Sequence, residues 1–358
     1  MASVAENLES SLPVPSVQEI VSHLPHTVPL RYIRDEIISP SSHDDHSSSV
    51  PWIDMAKLLH PESQASELHK LHSACKDWGL FQLINHGVSD ASLRSIKKQT
   101  QEFFELPLEE KKRWAQKPGS LEGYGQAFVT SEEQKLDWND MIFLKALPIQ
   151  NRKMEFWPQK PEKFRETLQN YSEDIRKLAV SITQFIAMGL GINDQTKEFY
   201  QGYQEGTYDV RFNCYPPCPQ PDRVIGMIPH ADMSGITLLL DACDVPGLQV
   251  LKDGDWVFVE PIDSALVVNI GQIIEVTPQI MSNGIYKAPD HRAVVNKSKE
   301  RFSVVTFCFP NPSVKIGPAK ELTKSGSPPL YKTITLAEYF QSFYNRKLEV
   351  SFIDCLKV

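Results

Sequence analysis

Residues 63 to 77 and 89 to 104 carry apolar side chains at three- and four-residue spacing, the pattern of two amphipathic helices, with Asp90 placed to cap the second ahead of Ala91. Between them, Leu80-Phe81-Gln82-Leu83-Ile84 is short and almost wholly apolar and reads as a buried strand. The longest helical pattern runs from 161 to 190, ends near Gly189-Leu190-Gly191, and predicts a helix braced against the outside of a sheet. From about 207 the period changes. Runs rich in β-branched and aromatic residues at 208–215, 237–240, 248–251, 256–260, 265–270 and 301–309 alternate with Gly, Pro and Asp. The first of these stops at Pro216-Pro217, because proline cannot donate to a ladder. This rhythm predicts a double-stranded β-helix, or jelly roll, whose two sheets enclose a cavity open at one end.

The fold class is therefore α+β. A jelly-roll core is expected over 206–312, flanking helices around it, and an N-terminal mixed helical region over 51–205. Residues 1–50 read as an extension and linker, and 313–358 as a C-terminal cover with helical spacing over 336–344. The polar run 41–49, with His43, Asp45 and His46, reads as a solvated loop. No internal repeat interrupts this plan.

Candidate chemistry concentrates in the strand-rich half. His230 and Asp232 are separated by Ala231 alone, and side chains at i and i+2 leave the same face of a strand, so both can converge on one ion. His291 is the best third ligand, delivered from a neighbouring strand after the turn at Asn283-Gly284. Two imidazoles and one carboxylate form the facial triad that holds Fe(II) on three positions and leaves three open. On the strand 301–309, the two-residue period puts Arg301, Ser303, Phe307 and Phe309 on one face. A guanidinium fork suits a carboxylate, so an organic acid is expected beside the ion. Arg211, Asn213 and Tyr215 align likewise on 208–215, where their polar tips could finish that acid's pocket. Each motif alone has an ordinary explanation: strand histidines are often half-buried residues without a role, and an R-x-S pair can be a surface ion pair and a hydroxyl. Their agreement in phase on separate strands is what favours a site.

The segments Asn213-Cys214-Tyr215-Pro216-Pro217-Cys218-Pro219-Gln220-Pro221, Pro229-His230-Ala231-Asp232, Ser282-Asn283-Gly284-Ile285-Tyr286-Lys287 and His291-Arg292-Ala293-Val294-Val295-Asn296 resemble the plant 2-oxoglutarate/Fe(II)-dependent dioxygenases of specialised metabolism, in particular the senescence-related-gene-like group. Ala74 to Gly87 and Pro15-Ser16-Val17-Gln18-Glu19 extend the likeness over nearly the whole chain. The resemblance implies His230, Asp232 and His291 as iron ligands, Arg301 and Ser303 as the pair on the distal carboxylate of 2-oxoglutarate, and Tyr215 and Asn213 as helpers. It implies O2 as oxidant, ascorbate as reductant, and hydroxylation, desaturation or O-demethylation as the outcome. Positions matching the substrate pocket of similar flavonoid enzymes are Met141, Phe143, Arg211, Phe307 and Phe309.

Two of these depart from pattern, since anthocyanidin synthases carry an acidic residue where this chain has Phe309 and an aromatic one where it has Met141. An apolar, aromatic wall follows, with Met233 able to fill a gap beside it. A bulky, weakly polar alkaloid or phenolic is the expected substrate, and a flavonoid oxidase of the flavonol or anthocyanidin synthase type is the alternative. The stretch 271–281 is by the same comparison a few residues long, with Gln272 where an aspartate is common, and is expected to reshape one rim of the cavity.

Composition narrows the field only slightly further. With 358 residues, 41% of them hydrophobic, the chain can bury a large core. A net charge of −8 without a basic stripe excludes nucleic acid as partner, and the expectation is a small-molecule substrate, no membrane partner and a monomer. The first thirty residues hold no apolar run of signal or membrane length, and Glu6 and Glu9 precede Arg31, so a cytoplasmic address is expected. The six cysteines lack disulfide-framework spacing and are expected as thiols; Cys214 and Cys218 want a second Cys/His pair for zinc. His69 and His72 are expected as a solvent-facing pair, and His86 as the partner of a turn.

Overall fold

A computed structural model of the chain describes residues 11–23, 26–34, 49–118, 120–126, 129, 131–191, 197–273, 285–317, 328–338 and 358. Eight strands form one sheet: β1 (Trp52–Asp54), β2 (Leu80–Ile84), β3 (Gly123–Gly125), β4 (Asp140–Leu147), β5 (Thr207–Tyr215), β7 (Ile236–Asp241), β10 (Leu266–Ile270) and β12 (Arg301–Phe309), in the order β1-β2-β10-β7-β12-β5-β4-β3. A smaller sheet of β6 (Met227–His230), β8 (Leu248–Lys252), β9 (Asp255–Phe258) and β11 (His291–Ala293) runs β6-β11-β8-β9. These are the two layers of the expected jelly roll.

Strand phase divides the core in two. On β12, Phe302, Val304 and Cys308 point to the helical side, and β5 contributes Tyr208, Val210, Phe212 and Cys214 to the same cluster. That cluster also holds Leu168, Ile175, Ile182 and Ile186 of α3 (Phe164–Gly189), and residues of α1 (Pro61–Asp77) and α2 (Asp90–Phe104). The opposite face meets the small sheet, where Leu239, Leu248, Val250, Val267 and Val305 pack between the layers. Because β12 is buried on both faces, its sequence is nearly continuous in apolar residues rather than alternating.

Several expectations are corrected. Ser89, not Asp90, caps α2: its hydroxyl accepts from the Ser92 amide at 3.1 Å, and Asp90 begins the helix. Besides its helices and the strand expected at 80–84, now β2, the region 51–205 supplies β1, β3 and β4 to the large sheet; β4, buried along most of its length, has no two-residue alternation to announce it. His69 is exposed, but His72 is half-buried and its Nδ1 lies 2.9 Å from the Tyr286 hydroxyl. His86 does satisfy a turn, with Nε2 2.8 Å from the Ser264 carbonyl and Nδ1 accepting from the Val88 amide. The described cysteines are free thiols, while Cys355 lies outside the described residues. So do the loop with His43, Asp45 and His46, residues 274–281 of the long rim segment, and 339–344 of the C-terminal helical pattern; 336–338 are helical. No described helix is long and apolar enough to cross a membrane.

Candidate metal and cosubstrate centre

β6 and β11 pair antiparallel with His230 directly opposite His291, which brings the imidazole centroids to 4.4 Å. Asp232 lies two residues past His230, beyond the end of β6, so strand phase places the histidine but not the carboxylate. What holds Asp232 is a pair of donors from the large sheet: its Oδ2 accepts from Thr237 Oγ1 at 2.6 Å and from Asn269 Nδ2 at 2.9 Å. Thr237 and Asn269 are themselves register partners on β7 and β10.

This leaves Asp232 Oδ1 facing His230 Nε2 at 3.5 Å and His291 Nε2 at 3.6 Å. Each imidazole has its other nitrogen at a backbone carbonyl, Nδ1 of His230 2.8 Å from Ile228 and Nδ1 of His291 3.2 Å from Pro289. A proton on Nδ1 fixes the tautomer in which Nε2 offers a lone pair. One ligand atom from each residue fits within 4.8 Å of the others, and no further His, Cys, Asp or Glu joins the group among the described residues. A two-nitrogen, one-oxygen set with open positions suits a catalytic Fe(II). Burial opposes ionisation of Asp232, yet the two imidazoles and Thr237 outweigh it and hold the carboxyl well below its usual range, while burial is outweighed at His230 by Asp232, which raises that imidazole. Burial pushes His291 down toward the neutral form a ligand needs.

The same cavity, about 530 Å³ including its open mouth, is lined by the triad, Arg211, Asn213, Tyr215, Arg301 and Phe307. Arg301 is 2% exposed, its guanidinium carbon lies 5.3 Å from the Tyr215 ring centroid, and its Nη2 donates to Asp241 Oδ1 at 2.5 Å. Burial works against its charge, but Asp241 and Tyr215 outweigh this and keep the guanidinium protonated. Arg301 Nε nevertheless finds no acceptor, a buried donor of the kind an incoming carboxylate would satisfy. A Cβ at Gly247 would lie 2.7 Å from Arg301 Cδ and 3.1 Å from Nε, so that glycine leaves the room the guanidinium stem occupies. Ser303 stands behind the wall, accepting from Asn213 Nδ2 at 3.1 Å, and Asn213 Oδ1 in turn holds Arg211 Nε at 2.6 Å.

The remaining expected pocket residues do not line this cavity. Met141, opposite Asn213 in register, is fully buried, and Phe143 is half-buried against Phe307 with centroids 6.5 Å apart. Phe309 ends β12 opposite Thr207, and Met233 is half-buried one residue beyond Asp232. Sequence reading missed Thr237, Asn269 and Asp241. The signal was there for the first two: each is a polar residue inside an otherwise apolar strand.

Comparison with known proteins agrees with this geometry. The profile described as non-haem dioxygenase in morphine synthesis N-terminal matches residues 50–160, and that of the 2OG-Fe(II) oxygenase superfamily matches 206–310. The chain is 43% identical over 354 residues to an oxoglutarate-dependent flavonoid 7-O-demethylase of Ocimum basilicum, covering 97% of this chain and 92% of that protein. It is 38% identical to codeine O-demethylase of Papaver somniferum, covering 98% of each. A crystal structure of JOX2 in complex with 2OG, Fe and JA superposes with a TM-score of 0.83 at 32% identity, covering 98% of this chain and 99% of that one.

Proposed function

Because the chain belongs to the 2OG-Fe(II) oxygenase superfamily, and is thus an oxidoreductase that uses Fe(II) and 2-oxoglutarate, we propose that it oxidises a bulky, weakly polar alkaloid or phenolic held between its triad and Phe307, on which Phe143 packs. The observation that carries the reading is the joint one at the cavity floor: three ligand atoms left open by their hydrogen bonds, and an acceptor-less guanidinium N–H in the same space. Relatives named as demethylases of a flavonoid and of codeine support O-demethylation among the possible outcomes.

His230, Asp232 and His291 would hold Fe(II), and Arg301 with Ser303 and Tyr215 the far carboxylate of 2-oxoglutarate. Bound together, the ion, cosubstrate and dioxygen supply an oxidation strong enough to break an unactivated C–H bond. The chain's own part is placement. Thr237 and Asn269 occupy Asp232 Oδ2 so that Oδ1 alone turns to the ion, and the Ile228 and Pro289 carbonyls keep a proton on each Nδ1. Leu239, Leu248 and Val305 exclude water from the cavity, which strengthens every charge interaction within it. Asn213 and Asn139 fix Arg211, the polar handle expected to orient the substrate. A soluble, cytoplasmic, monomeric enzyme is part of this proposal.

The test is incubation with Fe(II), 2-oxoglutarate and a panel of O-methylated alkaloids, coumarins and flavonoids, read by mass spectrometry together with succinate release. Gain of one oxygen, loss of two hydrogens, or loss of one methylene unit with formaldehyde would identify the outcome. Preference for polyhydroxylated flavonoids over every O-methylated candidate would overturn the substrate class.

A further inference from the structure

Two residues before Arg211 on β5, on the same inward face, stands Asp209. Its register partners are Phe307 on β12 and Lys145 on β4. The residue is 9% exposed, and its Oδ1 has no hydrogen-bond partner. A carboxylate stripped of water and left without donors is costly, so a native fold that keeps one is informative. Lys145 does not pair with it among the described residues. Glu122, the other carboxyl nearby, accepts from the Lys145 amide at 3.3 Å and lies 3.7 Å from Lys153. Burial pushes the Asp209 carboxyl up to about 7, with Lys145 opposing and Glu122 reinforcing the shift. Near neutrality it is therefore poised to ionise as soon as a cation arrives.

Three neighbours define what that cation must look like. Phe307 is across the ladder from Asp209, and Phe143, packed on Phe307, is across from Arg211. Aromatic faces attract organic cations, and a buried carboxylate gains most from a partner that the ligand brings with it. Arg211, held by Asn213 and Asn139, repels a positive group at the end nearer the triad. A cationic ligand would thus lie with its charge at Asp209 and its uncharged end toward His230 and His291.

We propose that Asp209 determines substrate specificity by pairing with a protonated amine on a ring system seated against Phe307, so that the alkaloid, rather than the phenolic, is the substrate class. This rests on the oxygenase reading above. It assigns to Asp209 the orientation of the molecule and to the triad end the C–H bond that is oxidised.

Two probes test it by calorimetry without oxygen, on protein loaded with Fe(II) and 2-oxoglutarate: a benzyl-tetrahydroisoquinoline bearing a tertiary amine, and its uncharged N-acyl counterpart. Wild-type protein is expected to prefer the amine by about tenfold or more, as a desolvated charge pair would give, and Asp209→Asn to bring the ratio near one. Equal affinity of wild type for both probes, binding of neither, or an unchanged ratio in Asp209→Asn would overturn the proposal. Should the Asn variant not fold, Asp209→Ser gives the same comparison, and the wild-type ratio decides on its own. Succinate release with the wider panel is independent of that ratio: its absence would remove the oxygenase reading, whereas a ratio of one with succinate intact would remove only the role of Asp209.

Discussion

Two regions on one face of the large sheet are built on opposite terms. At the metal end, Asp232 has one oxygen occupied by Thr237 and Asn269, and each imidazole has its outer nitrogen at a carbonyl, so only the atoms that face the ion are left open. Farther along β5, Asp209 keeps an unpartnered oxygen opposite Phe307, on which Phe143 packs. The first arrangement specifies its ligand completely before the ligand arrives. The second leaves part of the specification to the molecule that binds. Fixed chemistry with adjustable selectivity is what such a division permits, and preorganisation at the reacting end is where it matters most.

Breaking the metal end should have the largest effect. His230→Ala, Asp232→Ala and His291→Ala are each expected to abolish Fe(II) binding and 2-oxoglutarate-dependent turnover while leaving the unfolding midpoint almost unchanged; stoichiometric tight Fe(II) binding by any of them, read by calorimetry, would contradict the assignment. Next comes the acid clamp. Arg301→Ala should weaken 2-oxoglutarate binding by about 2–5 kcal/mol, and Arg301→Lys should recover only part of it, because a point charge lacks the fork. An unchanged affinity in Arg301→Ala would place the cosubstrate elsewhere.

The Asp209 region can be sharpened through pH. Asp209 in the folded chain holds its proton up to about 7, against an ordinary value of 3.8, so the folded state binds more protons between those limits. Stability therefore falls as pH rises through that window and levels off above it, by on the order of 2–4 kcal/mol from this group. Asp209→Asn should remove the dependence, raising the unfolding midpoint near pH 8 but not near pH 4; equal shifts at both would show that the carboxyl's ionisation is not the cause.

Smaller effects probe the supports. Thr237→Val or Asn269→Ala should each lower Fe(II) affinity by about 10–100-fold without removing a ligand. The smallest change is expected at Phe309, which ends β12 without lining the cavity: Phe309→Glu should shift the preference between apolar substrates and hydroxyl-rich flavonoids by about tenfold or less. Competition between the two substrate types measures it, and a shift well above tenfold would place Phe309 in contact with the substrate.

How much of this was legible in the chain follows the same division. Strand phase on β12 put Arg301, Ser303 and Phe307 on one face because a period of two survives even where both faces are buried. The register of His230 with His291 was open to sequence only as a shared sheet, since pairing between distant strands leaves no local mark. Thr237 and Asn269 were visible as polar interruptions, but nothing local says which carboxylate they serve. The Ser89 cap was displaced by one residue because Asp90 is an equally good candidate by type. β4 and Asp209 were missed for one reason: a strand buried on both sides hides its direction, and an inward carboxyl declares itself only when the missing partner can be seen.

The double burial of β12 bears on how such an enzyme can change over time. Its even positions face the helical core while Arg301, Val305 and Phe307 line the cavity, as two messages interleaved in nine residues. Point substitutions at 305 or 307 can revise one message and leave the other intact. A single inserted or deleted residue would exchange them, sending the guanidinium into the hydrophobic core and a phenylalanine onto the metal's side. New substrates are therefore reached along this strand by replacement at constant length, and changes of length are confined to the loops around it.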